Sequence, residues 1–329
     1  MAPSLLYPAT QLPPASALAL SQQAPAVLRS SPATVSSSPL SALFSAPEKP
    51  ELWIKYENLI LSCLRTGDDQ AAHQCLERLV ARFGNGNERV QALRGLVKEA
   101  EAQDDSALEE VLKEYEQILA ENDTNIPIAK RRIALLRSMG RVSDAASALV
   151  QLLEFSPTDA EAWSELSDIY LSQGLYPQAI YAMEEVLLLA PNAWNIHARL
   201  GELQFMAATA PGVAGGSYQK YMAEAIKRFA RSVELCDDYL RGYYGLKLVC
   251  KTLLSGGSNK TAKQTDDEFA IPDTRNTERL NELATAKLSE IVRHSTARDQ
   301  GWRGYDEAEI AAARQLLSDD VAASSAIER

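Results

Sequence analysis

Three histidines, four cysteines and a scatter of paired carboxylates are the side chains through which this chain could do proton, thiol or metal chemistry. His73, His197 and His294 are isolated in sequence and none stands at ligand spacing from a cysteine, so neither a zinc site nor a histidine general base is written here. Cys63, Cys75, Cys236 and Cys250 form no C-x-x-C and read as small buried hydrophobes in a reducing compartment. The triplets Asn122 to Thr124 and Asn259 to Thr261 have the glycosylation pattern, which points to the opposite environment, and are read as chance matches. Asp68 with Asp69, Asp104 with Asp105 and Glu184 with Glu185 fall in turns or on helix faces, where solvated charge rather than a shared proton is expected. There is no G-x-G-x-x-G, no phosphate loop and no G-x-S-x-G, and Gly212 to Gly216 lack a following Lys-Ser or Lys-Thr. The expectation is therefore no catalytic residue, no metal and no cofactor, in a chain that is not an enzyme.

The elements that carry these side chains repeat. Gly140, Ala145 and Pro157 recur thirty-four residues later as Gly174, Ala179 and Pro191. Small residues at fixed offsets with a closing proline are the signature of a tetratricopeptide helix pair. In the clearest copy Trp163, Leu166, Ser167 and Tyr170 form the apolar stripe of a first helix, and Ala179, Met183 and Val186 that of a second, with Gly174 in the turn. Ser167 and Ala179 sit where the helices cross, because larger side chains would hold the backbones apart. Thr158 with Glu161 reads as a capping box, and Pro191 ends the second helix. Leu200, Gly201, Ala225 and Phe229 fit a further repeat with twelve surplus residues, read as an expanded turn over Ala208 to Ser217. Tyr56, Gly67, Ala72, Leu76 and Leu79 fit the first repeat, and Tyr243, Leu246 and Cys250 open the last.

This predicts an all-α solenoid, a right-handed superhelix of five or six tetratricopeptide hairpins closed by capping helices. Residues 1–48, rich in Pro, Ser and Ala, read as a mostly disordered arm in which a short helix from Ala15 to Leu28 could dock on a partner; 49–254 as the array; 255–275 as a polar loop; and 276–329 as capping helices and tail. The arm lacks the charged segment and apolar core of a secretory signal and has too few arginines for a mitochondrial one. No apolar run reaches the roughly eighteen residues of a spanning helix. A formal charge of −11 over 329 residues argues against nucleic acid as the partner.

What is left is surface. The repeat register turns Lys130, Arg137, Glu161, Asp168, Leu171, Glu202, Phe205 and Met206 toward an inner groove that runs from basic through acidic to apolar. Such a gradient suits an extended polypeptide of mixed chemistry. A soluble adaptor or co-chaperone that binds a peptide in this groove is one alternative. Its usual Lys/Asn clamp for a terminal carboxylate is missing, and Asp168 would repel that ligand.

The run Glu121-Asn122-Asp123-Thr124-Asn125, then Ala129-Lys130-Arg131-Arg132-Ile133-Ala134, then Glu161-Ala162-Trp163-Ser164-Glu165-Leu166 and Tyr170, resembles the family of the second subunit of the ER membrane protein complex. Trp53-Ile54-Lys55-Tyr56-Glu57 and Tyr244-Gly245-Leu246 extend the resemblance. It implies a non-catalytic scaffold, peripheral at the cytoplasmic face of the endoplasmic reticulum. There it would join membrane-embedded subunits and a soluble MPN-like one in a hetero-oligomer that inserts tail-anchored and multipass clients. The N-terminal arm replaces a charged helical segment of animal members, so contacts made there do not carry over.

Overall fold

Glycine sets the hairpins. Gly140 and Gly174 stand at φ 73° and 72°, the left-handed region that side chains disfavour, and Gly67 repeats the arrangement at 73°. In each case the next residue's N–H reaches back five residues to close the turn: Asp68 to Cys63 O at 3.0 Å, Arg141 to Leu136 O at 2.9 Å, and Leu175 to Tyr170 O at 2.9 Å. One local motif thus turns the chain through three helix pairs.

The computed structural model describes residues 4–7, 12–30, 49–255, 270–297, 299–302 and 304–327. The described residues form fifteen helices and no strand. After α1 (Pro14–Ser21) and α2 (Ala24–Arg29) come six successive pairs: α3 (Pro50–Thr66) with α4 (Asp69–Phe83), α5 (Glu88–Glu101) with α6 (Asp105–Glu121), and α7 (Ile126–Ser138) with α8 (Val142–Phe155). Then follow α9 (Ala160–Ser172) with α10 (Tyr176–Leu189), α11 (Trp194–Thr209) with α12 (Gly215–Leu235), and α13 (Leu240–Ser255) with α14 (Thr274–Ala297), closed by α15 (Glu307–Ile327). The chain divides into two compact units, Met1–Pro157 and Thr158–Arg329.

In the first unit Tyr56, Leu59, Ile60 and Cys63 of α3 interlock with Ala72, Cys75, Leu76 and Leu79 of α4. The N-terminal segment differs from its predicted disorder where it is described, since α1 packs on α3 and α2 on α4. Leu5, Leu20 and Ala24 are buried in the same cluster, and Asn58 donates to Leu5 O at 2.8 Å. A composition poor in charge and rich in Ala and Leu loses little by helix formation once an apolar face is offered. Residues 31–48 lie outside the described residues, as does most of the polar loop. Caps recur through this unit: Asp68, Asn87, Asp104 and Asn125 each accept a backbone N–H of the helix they open.

In the second unit Ser167 Oγ donates to Ala179 O at 2.8 Å, so the predicted crossing of α9 and α10 is a buried hydrogen bond as well as a close approach. The expected capping box at Thr158 does not form. Asp159, one residue further on, accepts from Ala162 N and caps α9. A carboxylate also suits the positive end of the helix better than a hydroxyl. Nor is the surplus after Met206 mostly loop: α11 runs to Thr209 and α12 has 21 residues, leaving only 210–214 between them. Phe229 of α12 is wedged between glycines. A Cβ on Gly201 would meet the ring at 3.0 Å and one on Gly245 at 2.0 Å, at opposite edges. The last repeats close around this ring together with Leu246, Leu288 and Ile291.

Candidate partner-binding site

The side chains with chemical potential are spent on structure. His73 Nε2 meets Glu101 at 2.5 Å, His294 Nδ1 meets Asp299 at 2.6 Å with its ring stacked on Trp302, and His197 Nε2 faces Pro191 O at 3.0 Å. No two of these histidines share a partner. All four cysteines are free thiols. Burial pushes Cys63 and Cys75 up to about 12 and Cys250 to about 11, so none of these three is a thiolate at neutral pH. Asp68 and Asp104 are helix caps, and Glu184 pairs with Arg228 at 3.5 Å. Among the described residues no group of three or more His, Cys, Asp or Glu could hold a metal ion.

The eight groove residues divide between the units: Lys130 and Arg137 on α7 in the first, and Glu161, Asp168, Leu171, Glu202, Phe205 and Met206 on α9 and α11 in the second. Within the second unit the structure brings two of them together through a residue the register did not single out. Arg199 donates to Asp168 Oδ1 and to Glu202 Oε2, both at 2.9 Å, so the two acids share one guanidinium. This stretch is less acidic than its inward positions alone imply. Leu171 is half-buried against the core shared by α10 and α11 and Phe205 against the core beyond it, whereas Met206 is exposed. The apolar end of the predicted surface is therefore Met206, with Leu171 and Phe205 engaged inside the fold.

Arg199 has a counterpart. Arg131, sixty-eight residues earlier and so two periods back, donates through Nε to Glu99 Oε1 at 3.1 Å and through Nη2 to Oε2. Tyr115 OH donates to the same carboxylate at 2.5 Å, in the space left by Gly95. An arginine at this repeat position reaches back to an acid on the preceding first helix, spans the adjacent stripe with its long stem, and ties neighbouring repeats together. The missed signal was this two-period spacing. Asn122 and Asn125 do the same across one period, donating to Glu88 at 3.0 Å and Gln91 at 2.9 Å. A buried lysine, which no local sequence pattern marks, joins the last pair: Lys247 on α13 donates to Thr285 Oγ1 at 2.6 Å on α14.

A family model described as the EMC2 TPR-like repeat domain matches residues 79–219, the stretch that holds all eight groove positions. The TPR repeat protein oca3 of Schizosaccharomyces pombe is 34% identical over 261 residues, covering 75% of this chain and 88% of that relative. ER membrane protein complex subunit 2-A of Xenopus laevis is 31% identical over 196 residues, covering 60% of this chain and 61% of its own length. ER membrane protein complex subunit 2 of Saccharomyces cerevisiae is 26% identical over 249 residues, covering 74% and 78%.

Proposed function

The chain belongs to the ER membrane protein complex subunit 2 family, and from that membership we propose that it is a scaffold subunit of such a complex, bound at the cytoplasmic face of the endoplasmic reticulum. In this role it organises membrane-embedded subunits so that tail-anchored and multipass clients are inserted. The carrying observation is the continuity of the repeats with relatives named as subunits of that complex over about three-quarters of the chain. The physics of the fold supports it. Stacked helix pairs present long rows of side chains at fixed spacing, which is what large protein interfaces need. Among the described residues no helix is long and apolar enough to cross a membrane, so attachment falls to partners. Most of the side chains that could do chemistry are engaged as caps, ion pairs and buried thiols, which favours a binding role over a catalytic one.

Fractionation tests this reading. The chain should sediment with endoplasmic reticulum membranes, leave them in alkaline carbonate, and co-purify in fixed ratio with integral membrane proteins. A wholly cytosolic monomer would overturn the proposal.

A further inference from the structure

Helices α14 and α15 enclose an open cleft of about 550 Å³ in the second unit, with Val292, Leu317, Thr296, Ser289 and two arginines, Arg293 and Arg314, in its walls. Arg314 donates through Nη2 to Thr296 Oγ1 at 3.0 Å, and Arg293 through Nη2 to His294 Nε2 at 3.2 Å. Neither guanidinium meets a carboxylate among the described residues, whereas Arg199, Arg228, Arg231 and Arg241 of the same unit all do. A guanidinium carries five N–H donors, so most of the capacity of each is unspent.

The acids that flank the pair in sequence are engaged elsewhere or turned away. Glu290 meets Lys287 at 3.5 Å, and Glu309 meets Arg241 at 2.6 Å. Because a guanidinium only donates, His294 Nε2 accepts and the ring proton sits on Nδ1, which occupies Asp299 at 2.6 Å. Asp319 stands five residues beyond Arg314, which at 3.6 residues per turn points it more than a third of a turn away. Two cations in one concavity focus their fields on the space between them. An anion placed there gains charge-assisted hydrogen bonds from two planar forks and relieves the repulsion between them. Val292 and Leu317, both half-buried, offer apolar contact beside it. An anionic bilayer is the poorer occupant. It would set the whole surface of a chain with formal charge −11 against a potential of the same sign, while a short segment meets only the cleft within a screening length of about 8 Å.

We propose that this cleft is a docking site for a partner polypeptide segment whose acidic side chains meet Arg293 and Arg314 and whose apolar side chain lies on Val292 and Leu317. The site lies outside the eight groove positions and needs a protein partner, not the particular assembly proposed above.

The test is photocrosslinking from the full chain carrying p-benzoylphenylalanine at position 289, exposed in the cleft wall, expressed in its own cells in place of the unsubstituted chain. Ala312, exposed on α15 and outside the cleft lining, is the control position. Crosslinks from 289 should map to one short segment of one protein that contains Asp or Glu beside an apolar residue, well above the control. Arg293→Gln with Arg314→Gln should cut that yield roughly tenfold or more, because hydrogen bonds to charged groups are the strong ones. Arg314→Glu should abolish it, and lysine in place of the partner's acid should then restore it, a rescue that a misfolded chain would not give. Crosslinking no higher than the control, a mapped segment without an acid, a yield indifferent to the two glutamines, or no rescue by the charge exchange would each overturn the proposal. Flotation of the chain with phosphatidylserine vesicles that is lost on Arg293→Gln with Arg314→Gln would assign the cleft to lipid and overturn it as well. A chain that fails to sediment with membranes yet crosslinks to one acidic segment overturns the assembly role and supports the cleft; the reverse pattern does the opposite.

Discussion

Gly245 shows what a single missing methyl group does here. A Cβ at that position would lie 2.0 Å from Cε1 of Phe229, a ring 1% exposed and already flanked on its other edge by Gly201. Gly245→Ala should therefore destabilise by about 1–3 kcal/mol through overpacking, read as a lower urea midpoint at unchanged slope. Adding Phe229→Leu should recover part of that loss, because the two substitutions share one contact. The sequence exposed these residues unequally. Gly201 and Phe229 stand at repeat positions and were legible from the period, whereas Gly245 entered only within the Tyr244-Gly245-Leu246 stretch that carries the family resemblance. Its cause is a ring supplied by α12, a tertiary fact no local pattern encodes. Arg199 was overlooked for a related reason: groove reading by stripe assigns each side chain to its own row, and a guanidinium reaches into the next.

Helix boundaries were legible where a local rule fixes them and shifted where two rules compete. The turns at Gly140 and Gly174 follow from the left-handed backbone they need. At the start of α9, Thr158 and Asp159 are both acceptable caps by type, and only the chain path selects Asp159. The insertion after Met206 looked like loop because its glycines break helix propensity, yet α12 begins at Gly215 and its Met222 and Ala223 are buried, so packing overrides propensity. The same competition governs α1. A short helix over Ala15 to Leu28 is legible in its sequence, but its docking on α3 of the same chain is not. Deleting residues 1–30 strips Leu20 and Leu5, 0% and 4% exposed, from the first core. At about 1.5–3 kcal/mol per buried leucine, offset by the chain entropy regained, the net loss should be a few kcal/mol. Hydrogen exchange is the sharper measurement: α3 and α4 should lose protection while α9 to α12 keep theirs. Uniform protection across α3 and α4 in the truncated chain would mean that α1 contributes nothing to the core.

At the scale of the molecule, charge and hydropathy decide how the chain can be attached to a bilayer. Forty-four acidic residues against thirty-three basic ones give −11, and among the described residues no helix is apolar and long enough to span. The cytoplasmic leaflet carries a negative surface potential of about −30 mV, so a net anion is repelled unless a basic patch gathers enough lysine and arginine to reverse the local field. Groove positions do not supply one: Lys130 and Arg137 are followed in the register by Glu161, Asp168 and Glu202. The net charge thus disfavours direct lipid binding, which agrees with the attachment through protein partners proposed above. The isolated chain, mixed with phosphatidylserine-containing vesicles at about 0.15 M salt, where screening reaches only about 8 Å, should stay at the bottom of a flotation gradient. It should stay there at lower salt as well, because weaker screening strengthens repulsion between like charges. Flotation that increases as salt is lowered would reveal a basic surface acting against the net charge, and would place part of the membrane attachment in this chain itself.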